Sequence, residues 1–267
     1  MWRKCFAGYF VCAFLANSAF GGIIITLNFT GGLTLAQQNV FASAKSFWET
    51  TLTGYKPGIA ITGPTINASG VAIDGVGGIL GSAGPLSTSS QGGFVLATSG
   101  EMQFDTADLS NLEANGRLQN VIRHEMAHVL GFGTLWTDNG VYVDGTGQYT
   151  GQNALNQWKT EFNQASATFI PVELGGGSGT ANGHWNEVDG GGGLTGIRDT
   201  LNRDMRDELM TGWLGSNAFV SNMTIASFAD IGFTTVAVPE PSSLAFAVFS
   251  ILILQFFRKS NRKQSWS

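Results

Sequence analysis

His124-Glu125-Met126-Ala127-His128, followed without a break by Val129-Leu130-Gly131-Phe132, is the stretch that decides how this chain is read. Four residues make slightly more than one α-helical turn, so on a helix both imidazoles share a face and can hold a single metal ion. The surrounding residues 115–131 read as that helix, with Leu118, Ile122, Met126 and Val129 as its core face, His124 and His128 on another face, and Gly131 as its stop. Glu125 stands where a general base for a zinc-activated water belongs. The chain has three histidines, so His184 is free to complete the set.

The third ligand needs argument. Elongated zinc-peptidase motifs place a glycine three residues after the second histidine and another histidine three beyond it. Here Gly131 is present, but Thr134 occupies the later position. The remaining ligand must come from farther along, and His184, preceded by Gly183 and followed by Trp185, is favoured. Glu187 is the rival, because two histidines and a glutamate also form a catalytic zinc set. Asn186-Glu187-Val188-Asp189, beside a glycine run at 190–193, reads as a solvated acidic loop, its spacing fitting no calcium motif.

Around the motif, residues 23–29 read as a strand and 33–52 as a helix, with Leu35, Val40, Phe41, Ala44, Phe47 and Trp48 near helical spacing. Residues 59–61 and 71–73 read as short strands, and 94–97 with 102–104 as a further strand or a hairpin. Asp105 and Asp108, just before the motif helix, read as turn caps. Past Gly133 the chain turns loop-rich, with helices expected at 152–164 and 217–231 and none forced on the glycine run 175–179.

Of 267 residues, 12% are charged and 37 are glycine, a composition that suits an exported protein with long ordered loops. Between residues 22 and 237 there are eight basic and eighteen acidic residues, which argues against nucleic-acid binding. Both cysteines, Cys5 and Cys12, lie in the N-terminal apolar segment, so the body has neither disulfides nor thiolate ligands.

Both ends read as addresses. Residues 1–21 have the layout of a signal peptide: Arg3 and Lys4, an apolar run, then small residues near Ala19. Val238-Pro239-Glu240-Pro241 precedes an apolar segment, 244–257, and a basic end. This 238–267 tail resembles the PEP-CTERM sorting signal of exopolysaccharide-producing Gram-negative bacteria. That resemblance implies an exosortase as partner, removal of the tail during export, transient membrane association and a secreted or cell-surface destination. A retained single-span anchor is the alternative.

The motif followed by Gly131-Phe132, the long insertion, His184-Trp185, and then Arg206-Asp207-Glu208-Leu209-Met210-Thr211 together resemble the leishmanolysin family of metzincin metallopeptidases, over roughly residues 100–233. The resemblance implies an α+β catalytic domain, residues 22–237, with a mixed β-sheet and active-site helix in its N-terminal part. Its loop-rich C-terminal part would carry a Met-turn, with Met210 as a structural floor beneath the zinc. It implies one catalytic Zn2+ held by His124, His128 and His184, Glu125 as catalytic base, and protein or peptide substrates held along an edge strand near 94–102. The chain departs from that pattern in three ways. Leishmanolysin itself is disulfide-rich and this body has no cysteine, a cysteine-bearing propeptide is missing, and less chain follows the Met-turn. Gly212 also stands where some metzincins carry a zinc-binding tyrosine.

The leading expectation is an exported zinc endopeptidase. A non-catalytic matrix or surface protein on the same scaffold is the alternative, and the intact Glu125 counts against it. A zinc hydrolase of non-peptide substrates is the third reading.

Overall fold

The computed structural model describes residues 22–188, 193–215 and 217–236. The expected signal peptide and sorting tail lie outside the described residues, as do Asp189 and most of the glycine run at 190–193. Among the described residues no helix is long and apolar enough to cross a membrane.

A four-stranded sheet in the order β1-β3-β5-β4 forms the first half. β1 (Thr26–Gly31), β3 (Thr65–Val71) and β5 (Phe94–Asp105) run parallel, and β4 (Gly81–Gln91) pairs antiparallel with β5 at the edge. β5 is thus an inner strand, and the expectation that 94–102 forms the edge is corrected. It is one continuous strand, and Gly92 and Gly93, both at positive φ, turn the chain from β4 into it.

β4 and β3 were not expected. β4 reads Gly-Ser-Ala-Gly-Pro-Leu-Ser-Thr-Ser-Ser-Gln, with no apolar alternation, because an edge strand open to solvent needs none. Its Pro85 lies where the register slips against β5, so the missing N–H breaks no regular ladder. In β3 only Ile66 and Ala68 are fully buried, too weak a pattern to read locally. The strand expected at 59–61 does not form, and of 71–73 only Val71 belongs to a strand.

The first helix, α1 (Leu35–Thr51), opens on a capping box in which Thr34 and Gln37 each satisfy the other's backbone N–H. Its Phe41, Ala44 and Trp48 are fully buried. Phe41 meets Phe29 and Phe104 edge-on at 5.2 and 5.4 Å, joining helix to sheet. Asp105 caps α2 (Thr106–Ala114) through the N–H of Ala107, while its other oxygen accepts from Asp74 and Gly75. Asp108 accepts from Gly77. Both aspartates cap turns, as expected.

The motif helix α3 (Leu118–Val129) lies against the sheet, and Gly100 makes that possible. A β-carbon there would fall 2.3 Å from Val129 Cγ1. Beyond α3, α4 (Gln152–Glu161) and α5 (Asn222–Asp230) pack together, shorter than the spans expected, with two-stranded ribbons β2/β8 (Leu52–Tyr55, Phe233–Thr235) and β6/β7 (Gln148–Tyr149, Ile170–Pro171). Phe132, Trp136, Tyr149 and Trp185, all fully buried, form an aromatic cluster after α3, and Phe228 of α5 links it to Trp48 of α1.

Candidate metal centre

Two of the three histidines come from α3, and the third arrives on a ribbon. His184 is carried beside an antiparallel bridge between Val172 and Trp185, where the Glu173 N–H donates to the His184 carbonyl at 2.9 Å. The next residue, Trp185, donates its N–H to the Met210 carbonyl at 3.0 Å. The backbone passes close at Gly183, and the glycine that needs to lack a side chain there is Gly133. At φ +72°, its β-carbon would lie 2.3 Å from the Gly183 carbonyl oxygen.

The Nε2 atoms of His124, His128 and His184 lie 2.9, 3.0 and 3.1 Å apart. Each ring is oriented from behind by a backbone carbonyl. Nδ1 of His124 donates to Leu209 O at 2.7 Å, Nδ1 of His128 to Phe132 O at 2.9 Å, and Nδ1 of His184 to Thr180 O at 2.9 Å. Gly131, at φ +109°, reverses the chain after α3, which brings the Phe132 carbonyl back to His128. Thr134, in the position where longer motifs carry a histidine, instead donates its hydroxyl to the His128 carbonyl at 2.6 Å and closes the helix end.

These carbonyls fix one tautomer, with the proton on Nδ1 and a lone pair on Nε2. Burial holds the imidazoles neutral. It lowers His124 to about 4 and His184 to about 3, and takes His128 well below its ordinary value, helped by its two neighbours. Glu125, next to His124, is buried, and burial pushes its carboxyl up to about 8. It rests against the edge strand at Gly81, whose β-carbon would lie 3.0 Å from Oε1 of Glu125.

Residues 95–248 match the peptidase M8 family, described as Leishmanolysin. The chain belongs to the leishmanolysin family. No curated protein matches the chain.

Leishmanolysin peptidases are zinc-dependent, and the three-histidine cluster fits such an ion. Three lone pairs facing one another at about 3 Å, with every ring proton committed elsewhere, repel unless a cation lies among them. A zinc–nitrogen distance of about 2.0–2.1 Å lets one ion touch all three. Among the described residues this is the one group of three or more histidines and carboxylates close enough to share an ion. Glu187 is therefore outside it. Its carboxylate accepts from the Gly212 N–H at 3.3 Å and the side chain is buried, so Glu187 is not the solvated acid expected, while Asn186 and Val188 beside it are exposed.

Met210 is fully buried on the segment that supplies Leu209 O to His124. Sequence reasoning missed the three orienting carbonyls and Gly81. The carbonyls leave no mark in residue type, and Gly81 sits in a strand with no apolar pattern to reveal it.

Proposed function

We propose that this leishmanolysin-family chain is an exported zinc endopeptidase of metzincin type, with His124, His128 and His184 as ligands, Glu125 as general base and Met210 as the floor of a Met-turn. One observation carries the reading: three neutral imidazoles converge through Nε2 within 3.1 Å of one another, with a buried carboxyl one residue away.

Zinc held there supplies a Lewis acid that polarises a carbonyl and makes water a stronger acid. Glu125 takes the proton from the attacking water and returns it to the departing amine. The carbonyls of Leu209, Phe132 and Thr180 keep the imidazoles in place through the cycle. The edge strand β4 passes Glu125 at Gly81, so an extended peptide added along its outer edge would cross the base by main-chain hydrogen bonding. The N-terminal segment directs export, and an exosortase acts on the PEP-CTERM-like tail, leaving the enzyme secreted or at the cell surface.

The test compares the full-length chain with Glu125→Ala, assaying zinc content and cleavage of an unfolded protein side by side. Cleavage by the wild type, with a variant that holds zinc and cleaves nothing, is the expected result. One zinc in each protein and cleavage by neither, across a broad substrate panel, overturns the peptidase reading in favour of a non-catalytic matrix or surface protein.

A further inference from the structure

Glu208 takes no part in the proposed chemistry, yet it is 1% exposed and its carboxylate collects four donors. Oε2 accepts from the Met210 N–H at 2.6 Å. Oε1 accepts from the Ser221 N–H at 2.9 Å, the Ser221 hydroxyl at 2.8 Å and the Thr224 hydroxyl at 2.6 Å. The Thr224 oxygen in turn accepts from the Trp185 indole N–H at 2.8 Å. A buried carboxylate is costly unless its partners are fixed, and these are supplied by two separate segments.

What it holds matters for the metal centre. The carbonyl of Leu209, one residue on, orients His124. The carbonyl of Met210, two residues on, receives the Trp185 N–H and so fixes the chain beside His184. The Trp185 side chain reaches the same carboxylate through Thr224. Two of the three imidazoles, from elements 60 residues apart, therefore depend on the 208–210 segment for their support.

We infer that Glu208 is a positioning residue for the metal centre, clamping the turn that orients His124 and the ribbon that carries His184. The inference rests on the reading that the three imidazoles hold zinc. An amide cannot replace the carboxylate. If its oxygen keeps the Ser221 and Thr224 donors, its NH2 must face the Met210 N–H, donor against donor.

The test is zinc affinity by chelator competition on the full-length chain, with the absorption spectrum of the cobalt(II)-loaded protein as a report on ligand geometry. Glu208→Gln should bind zinc at least roughly tenfold more weakly and shift the cobalt bands, as loss of a support behind metal ligands does. Thr224→Val should move both in the same direction by less, and adding Trp185→Phe to it should bring little further loss. A role confined to general stability would lower the melting temperature of the metal-free protein and leave both readouts unmoved. Wild-type affinity and spectrum in folded Glu208→Gln overturn the inference. If that variant does not fold, unchanged readouts in Thr224→Val overturn it. A wild-type chain that takes up no zinc instead overturns the underlying metal-site reading.

Discussion

Gly81 lies directly against the carboxyl of Glu125: a β-carbon built on Gly81 would sit 3.0 Å from Oε1, 3.1 Å from Cγ and 3.2 Å from Cδ. Gly81 does not have the positive φ that would exclude alanine, so only space is at issue. What must yield is the end of a flexible side chain, not the backbone. Gly81→Ala should therefore fold with near wild-type stability and keep its zinc, while kcat falls by roughly tenfold as the base is displaced by a few tenths of an ångström. Steady-state kinetics beside zinc content checks this. An unchanged kcat would mean that Glu125 has room to spare.

Gly100 presents the opposite case. A β-carbon there would meet Val129 Cγ1 at 2.3 Å and the Gly84 carbonyl oxygen at 2.9 Å, so α3, β4 or β5 has to move. Gly100→Ala should cost about 1–3 kcal/mol, the usual range for overpacking. Denaturant unfolding of the metal-free protein measures it, and a loss below about 0.5 kcal/mol, the scatter of ordinary surface changes, would show that the helix is less tightly seated than the contact implies.

The parts of this molecule legible in the sequence are those in which one residue's neighbours decide its role. His124, Glu125 and His128 share a helical turn, and Phe41, Ala44 and Trp48 mark the buried face of α1 by their spacing. His184 is singled out by elimination in a histidine-poor chain, and the fold brings it to the other two imidazoles. Strands β3 and β4 were not legible, because small and polar residues enter a sheet by pairing with β5, and nothing local reports that partner. Glu187 reads as an exposed loop acid beside a glycine run, but tertiary packing against Gly212 buries it. The Gly-rich chain that surrounds the centre carries no periodicity, so the placement of its carbonyls comes from the fold alone.

Burial leaves the imidazoles with no proton to release on metal uptake and leaves Glu125 with one. Burial lowers His124 to about 4 and His184 to about 3, so at pH 6 these imidazoles are already neutral in the folded protein and have no proton to give up. With Glu125 replaced by Gln, zinc affinity should stay nearly flat from pH 7 to about 5 and collapse only toward pH 4, whereas the wild type should lose up to about tenfold per pH unit below pH 8, because zinc must displace the Glu125 proton. The unfolded chain takes up protons near pH 6.5 that the fold refuses, so the metal-free protein should lose stability as pH falls from about 6.5 toward 4. Burial pushes Glu125 up to about 8, leaving it mostly protonated at pH 7 before metal arrives. A dication beside it favours the carboxylate and drives that proton off. Calorimetric zinc titration in two buffers of different ionisation enthalpy should find about one more proton released by wild type than by Glu125→Gln at pH 7. Equal release would place the Glu125 proton elsewhere.

Helices α4 and α5 cap each other. Glu161, the last residue of α4, accepts from the N–H groups of Asn222 and Met223 at 3.0 and 2.9 Å at the start of α5. Asp230, the last residue of α5, accepts from the N–H groups of Asn153 and Ala154 at 2.9 and 3.0 Å at the start of α4. Gly151 at the N-cap of α4 has no side chain to offer, so Asp230 supplies a cap across the helix pair. The same carboxylate accepts from the buried Tyr149 hydroxyl at 3.0 Å, whose other acceptor, Ser227 O, is at 3.4 Å. Asp230→Ala should cost about 2 kcal/mol, combining a lost cap with a buried hydroxyl left to one long contact. Asp230→Asn keeps an acceptor oxygen and should cost less. Neither change touches the three imidazoles, so zinc per folded molecule should hold. Thermal unfolding with metal analysis separates the two effects, and a Tm loss no larger in Asp230→Ala than in Asp230→Asn would show that the acceptor at this helix start contributes nothing measurable.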